Sequence, residues 1–220
     1  MLKCATDKII QSLIDNKIVS INLKKPFRYA SGILSPIYTD FRLTISIPEL
    51  RDMIADGLAE LIRKNYPEAT VIGGVATAGI PHASWVAQRL NLPLIYVRAK
   101  PKDHGAGKQI EGRIGKDDKV VLIDDLISTG GSVLGAVKAV RNEGVNVIGV
   151  ASVFTYGMPD ADKNFADAHT TLHPLLSYAE LISQGHKENK FSDEEYSRLS
   201  TWHKAPWDWT KQEEQANAAK

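Results

Sequence analysis

Residues 120–132 read VVLIDDLISTGGS: an apolar, β-branched run, two adjacent carboxylates, three hydroxyls and a Gly-Gly pair, with a helical pattern behind them. Gly130 and Gly131 permit positive φ and close backbone approach, and the amides of such a turn at a helix N-terminus converge on an anion. Ser128, Thr129 and Ser132 add hydroxyl donors. Each hydrogen bond to a charged oxygen is worth about 1.5–3 kcal/mol, so a handful hold a monophosphate. Asp124 and Asp125 would repel a phosphate at contact range, which assigns them to sugar hydroxyls or, through water, to a magnesium ion. A structural alternative, in which DD caps the helix and GG merely turns, is outweighed by strand, acids, hydroxyls and helix occurring together. The segment lacks GxxxxGK[ST] and has no Lys after the glycines, which excludes ordinary NTPase chemistry, and GxGxxG is absent after the first strand of a βαβ unit.

A second segment, YVRAKPKDHGAGKQIEG at 96–112, carries Arg98, Lys100, Lys102, His104 and Lys108 among glycines. Gly105 and Gly107 give it freedom to close over a pyrophosphate leaving group, exclude water and neutralise charge. A solvated Lys-rich loop is an equal reading of these residues taken alone.

These segments need a scaffold, and the hydrophobic pattern describes one. Ile9, Ile10, Leu13 and Ile14 fall at helical spacing behind Thr6 and Asp7, a candidate cap. A helix over 48–64 has Pro48 in its first turn and an apolar stripe of Leu50, Met53, Ile54, Leu58, Leu61 and Ile62. Beyond it, β-branched runs at 70–75, 92–97, 119–123 and 145–154 alternate with helical patterns at 80–90 and 132–143. That rhythm predicts an α/β fold, a mostly parallel twisted sheet flanked by helices through right-handed crossovers. Ligands of such sheets sit at the carboxyl ends of the strands, where both chemical segments fall.

The 220 residues are 43% hydrophobic, and 27 Lys plus Arg nearly balance 26 Asp plus Glu. One domain over 1–210 is expected, with a hood at about 1–45, a core at about 46–185, a Trp-rich extension at about 186–210 and a disordered polar tail at 211–220. The charge balance gives no field for nucleic acid. A lone cysteine, Cys4, no apolar leader and no membrane-length apolar run point to a cytoplasmic protein.

The 120–132 segment resembles the PRPP motif of the type I phosphoribosyltransferases, which bind phosphoribosyl pyrophosphate (PRPP). Arg-x-Lys-x-Lys-x-His-Gly with its closing Ile-Glu-Gly is similar to the catalytic loop of the orotate phosphoribosyltransferase family. The resemblance covers residues 26–155 and implies the type I fold, with a small N-terminal hood and a mobile catalytic loop. It implies a magnesium-dependent transfer of orotate to PRPP in UMP biosynthesis, in a homodimer whose loop reaches the neighbouring active site. Lys102, His104, Asp124 and Asp125 are then catalytic. Arg98, Lys102 and His104 join Asp124, Asp125, Leu126, Ile127, Ser128, Thr129, Gly130, Gly131 and Ser132 in holding PRPP. Magnesium is bound through PRPP and water. PFRYASGILSPIYTDFR at 26–42 resembles the family's hood, which assigns Phe27, Ser31 and Gly32, with Ser128, to orotate; Tyr29 is a second candidate stacking face. GGVATAGIPHA at 73–83 resembles the family's pyrophosphate loop, with Thr77 and Gly79 as contacts and His82 structural. Where relatives carry Lys, this chain has Ala30, Leu34, Ala78 and Ala99. Trp202, Trp207 and Trp209 are expected to pack rather than bind ligand. The rivals are a purine or uracil phosphoribosyltransferase, against which the basic loop speaks, and a PRPP-sensing regulator, for which no nucleic-acid module is present.

Overall fold

The computed structural model describes residues 2–29, 32–100 and 109–218. In chain order they form α1 (Leu2–Asp15), β1 (Val19–Ile21), β2 (Phe27–Arg28), β3 (Leu34–Ser35), β4 (Ile37–Thr39), a 3-10 turn (Phe41–Ser46) and α2 (Pro48–Asn65). Then come β5 (Val71–Val75), α3 (Gly79–Leu90), β6 (Leu94–Val97), β7 (Ile110–Glu111), β8 (Lys119–Ile127) and α4 (Gly131–Asn142). The chain continues with β9 (Asn146–Thr155), α5 (Pro159–Asp167), β10 (Leu172–Ser177), α6 (Tyr178–Lys187), α7 (Asp193–Lys204) and α8 (Pro206–Ala218). They group into two compact units, Met1–Ile9 with Phe41–Tyr178 and Ile10–Asp40 with Ala179–Lys220.

The first unit holds the six-stranded sheet, ordered β10-β9-β8-β5-β6-β7, parallel except for β7 against β6. Parallel neighbours need crossovers, which α3, α4 and α5 supply, so the carboxyl ends of β5, β6, β8 and β9 line one edge. Val133, Ala136, Val137 and Val140 of α4 bury against Val71, Val120, Leu122 and Val150. The stripe of α2 is buried at Leu50, Ile54, Leu58, Leu61 and Ile62, and Pro48 sits in its first turn, where a missing N–H is harmless.

Two local expectations are corrected. Thr6 and Asp7 lie inside α1, which already begins at Leu2, so they do not cap it. The strand expected over 119–123 runs on to Ile127, because β9 stays paired with it: Asp124 opposes Ser152 and Ile127 opposes Thr155. Aspartates disfavour strands, so the apolar pattern stops short of the real end.

The second unit pairs β1 with β4 and β2 with β3, both antiparallel. The buried Trp202 donates its indole N–H to the Leu34 carbonyl (2.8 Å), and the Leu34 N–H donates to the Thr210 hydroxyl (2.9 Å). Helices α7 and α8 thus fasten the short hairpin, which a two-stranded ribbon requires. Helix α8 continues through the stretch from 211 that composition assigned to a disordered tail. Glu213 pairs with Arg198 (2.8 Å) and Glu214 with Arg28 (2.9 Å). Trp209 is buried with the Arg198 guanidinium over its ring, whereas Trp207 is exposed. No helix among the described residues is long and apolar enough to cross a membrane.

Candidate active site

The chemistry-bearing residues of the first unit gather at the carboxyl edge of the sheet. β8 delivers Asp124, 7% exposed, and beside it the half-buried Asp125. The chain turns through half-buried Ser128 and Thr129 to Gly130, the N-cap of α4, at φ 82° and ψ 0°. No side chain caps this end. The first amides of α4 thus have no side-chain acceptor from the N-cap residue, and the dipole of a helix favours negative charge at such an end. Ser132 is exposed on the first turn. Leu126 and Ile127, assigned to PRPP from sequence, belong to the strand. Ile127 is buried in the core and its carbonyl accepts the Tyr156 N–H (2.9 Å), so its side chain is not presented to a ligand.

Burial, then the neighbouring Asp125 carboxylate, pushes the Asp124 carboxyl well above its ordinary range. Burial also raises Asp125, opposed by hydrogen bonds and by the Arg42 charge. Two acids forced together share a proton or attract hydroxyls and cations. Among the described residues no group of three His, Cys, Asp or Glu forms a metal cage.

Helix α3 begins against the same carboxylates. A Cβ on Gly79 would overlap the Ile123 carbonyl oxygen and lie 3.1 Å from Asp124 Cα and 3.3 Å from its Oδ1. Only glycine lets α3 approach this closely, which sets residues 76–79 beside the acid pair, with Thr77 exposed. The Ala76–Thr77 peptide is cis. Arg98 follows β6 at the same edge, its guanidinium 3.5 Å from Glu111 of β7. The Arg98 N–H donates to the Gln109 carbonyl (2.8 Å) and the Gln109 side-chain amide donates to the Arg98 carbonyl (2.8 Å). These bonds join the two ends of the basic segment, and Ile-Glu is the closing strand expected of it. Lys102 and His104 lie outside the described residues, as does Ser31.

In the second unit, Phe27 stacks obliquely on Tyr38, ring centroids 5.6 Å apart. Tyr29 donates its hydroxyl to the Ile37 carbonyl (2.8 Å) and meets Trp202 edge-on, a packing role. The Gly32 N–H donates to the Tyr29 carbonyl (2.9 Å).

Sequence reasoning missed the brace behind the 128–131 turn. Asn164 of α5 donates to the Thr129 carbonyl (2.9 Å), and a Cβ on Gly130 would stand 2.7 Å from the Phe165 ring. No local motif marks these residues, which strand order brings to the turn.

His82, in the first turns of α3, is fully buried. Its Nε2 is 3.5 Å from the Thr44 hydroxyl, its Nδ1 has no hydrogen-bond partner, and its ring meets Trp85 edge-on. Burial lowers its pKa to about 4. A depressed histidine contributes stability that is complete above its unfolded pKa, about 6.5, and is lost as pH falls through 4. Chemical denaturation at pH 7 and pH 4 is expected to show wild type losing about 3 kcal/mol relative to His82→Gln. The raised aspartates, common to both proteins, shift stability the other way and cancel in the comparison. Equal pH slopes would contradict the burial-driven shift.

A family model described as phosphoribosyl transferase domain matches residues 46–174. The orotate phosphoribosyltransferase of Lactobacillus johnsonii is 59% identical over 205 residues, 93% of this chain and 97% of that one. Among solved structures, UMP synthase of Leishmania donovani matches with a TM-score of 0.78 at 26% identity, covering 90% of this chain and 42% of that one. This chain therefore spans less than half of that protein. The orotate phosphoribosyltransferase of Aeropyrum pernix matches with a TM-score of 0.70 at 27% identity, covering 84% of this chain and 99% of that one.

Proposed function

Because the chain belongs to the orotate phosphoribosyltransferases, enzymes that join orotate to the ribose phosphate of PRPP, we propose that it holds PRPP along the carboxyl edge of β5, β6 and β8. The observation that supports this most is the junction at 124–132, where a buried and a half-buried acid are followed within a few residues by a helix N-terminus that no side chain caps, opened by Gly130.

The reaction, a step of pyrimidine biosynthesis, is displacement at the anomeric carbon. A ring nitrogen of orotate forms the new C–N bond while the C–O bond to pyrophosphate breaks, and the bonding pair leaves with pyrophosphate. Orotate is already an anion in neutral water, so no strong base is required, and rate comes from positioning and charge neutralisation. The 5′-phosphate takes the amides around Gly130 and Gly131 and the hydroxyls of Ser128, Thr129 and Ser132. Ribose hydroxyls donate to Asp124 and Asp125, which favours the ionised form of the pair. The leaving pyrophosphate meets the backbone at 77–79, Arg98 and the basic residues Lys102 and His104. Ser128 is the orotate contact proposed on this unit.

An acid pair under mutual repulsion fits a nearby cation. Magnesium carried by PRPP would be held by Asp124 and Asp125 through water, and supplies positive charge toward the departing pyrophosphate. A homodimer in which the 99–108 loop serves the neighbouring subunit, and a cytoplasmic location, complete the proposal on the strength of the loop's likeness and the single cysteine.

Asp125→Asn removes one charge from the sugar site with little change in volume. Calorimetric titration with PRPP and magnesium is expected to show affinity about tenfold weaker. Unchanged affinity would remove Asp125 from the site.

A further inference from the structure

A turn that cradles an anion points its N–H groups inward, and because a trans peptide is planar with N–H and C=O opposed, the preceding carbonyls then point outward. An outward carbonyl inside the protein needs a donor. The Thr129 carbonyl has one: Asn164 Nδ2, 2.9 Å away on α5. Accepting carbonyls can be met only by the NH₂ end of the side chain, so the amide orientation is fixed by its partner. That carbonyl shares its peptide plane with the N–H of Gly130. Phe165, the next residue of α5, fills the space a Cβ of Gly130 would occupy. Helix α5 is itself tied to α4, since Arg141 donates to the carbonyls of Ala168 (2.8 Å) and His169 (3.2 Å). One polar and one apolar neighbour, consecutive on one helix, thus hold a single peptide plane.

We propose that Asn164 is a positioning residue for the 5′-phosphate: by holding the Thr129 carbonyl outward, it aims the Gly130 amide into the phosphate cradle. This rests on the assignment of residues 124–132 to PRPP. Asn164 bonds the Thr129 carbonyl, in the turn assigned to the 5′-phosphate, so its effect is confined to ligands bearing that group.

Asn164→Leu keeps the shape and removes the donor without adding charge; Asn164→Ala is a second donor-free variant, and Asn164→Gln retains an amide. Calorimetry with ribose 5-phosphate and, separately, with inorganic pyrophosphate reads the two halves of the site, and steady-state kinetics reads the rest. The donor-free variants are expected to bind ribose 5-phosphate about tenfold more weakly, with KM for PRPP raised by a similar factor. Their kcat, KM for orotate and pyrophosphate affinity stay within about twofold of wild type, and Asn164→Gln recovers part of the loss. Wild-type affinity for ribose 5-phosphate in a donor-free variant would overturn the proposal. So would an equal loss toward pyrophosphate, the mark of a merely structural residue. If wild type fails to bind ribose 5-phosphate, the assignment of 124–132 falls first and this proposal with it.

Discussion

Lys102→Ala is expected to lower kcat by about a hundred- to a thousandfold, the size of effect seen when one group that stabilises transition-state charge is removed. The physical reason is the timing of charge. Pyrophosphate gains negative charge as the glycosidic C–O bond breaks, so a cation over it stabilises the transition state more than bound PRPP. The KM for PRPP should therefore change far less than kcat. Arg98, at the base of the same segment, is already engaged with Glu111 and is less free to follow that charge. Turnover at the wild-type rate in Lys102→Ala, measured at saturating PRPP and orotate, would remove Lys102 from catalysis.

Gly79→Ala is the second large effect, and it acts on stability and site together. The added methyl meets the Ile123 carbonyl oxygen and the Asp124 backbone, neither of which can rotate away as a flexible side chain does. Helix α3 must move off β8. Overpacking against backbone should destabilise the protein by about 2–3 kcal/mol and lower the melting temperature by about 5–10 °C. The displaced residues 76–79 and the strained Asp124 lose PRPP affinity in the same variant. A melting temperature and PRPP affinity equal to wild type would contradict the close approach of α3 to the acid pair.

The parallel sheet was legible because its central strands β5, β8 and β9 are largely buried and read as short apolar runs, with helical stripes between them. Asp124 and Gly130 were legible for a different reason: acids and paired glycines at the end of an apolar run have few structural uses. Other features depend on tertiary neighbours. Asp124 and Asp125 lie within the strand because β9 continues beside them, which no local propensity encodes. No local pattern singles out Asn164 and Phe165; strand order brings α5 to the 128–131 turn. The 211–218 segment is polar enough to suggest a free tail, yet it is helical, with Arg28 and Arg198 paired to its glutamates. The Tyr29 hydroxyl bond to the Ile37 carbonyl and its edge contact with Trp202 likewise come from tertiary neighbours that the local sequence does not mark.

The most direct measurement is the near-ultraviolet fall in orotate absorbance with PRPP and magnesium, with uracil, adenine, hypoxanthine and guanine assayed in parallel. Magnesium-dependent consumption of orotate alone is predicted. Turnover of any other base, or PRPP binding with no turnover of any base, would contradict the reaction assigned to this site.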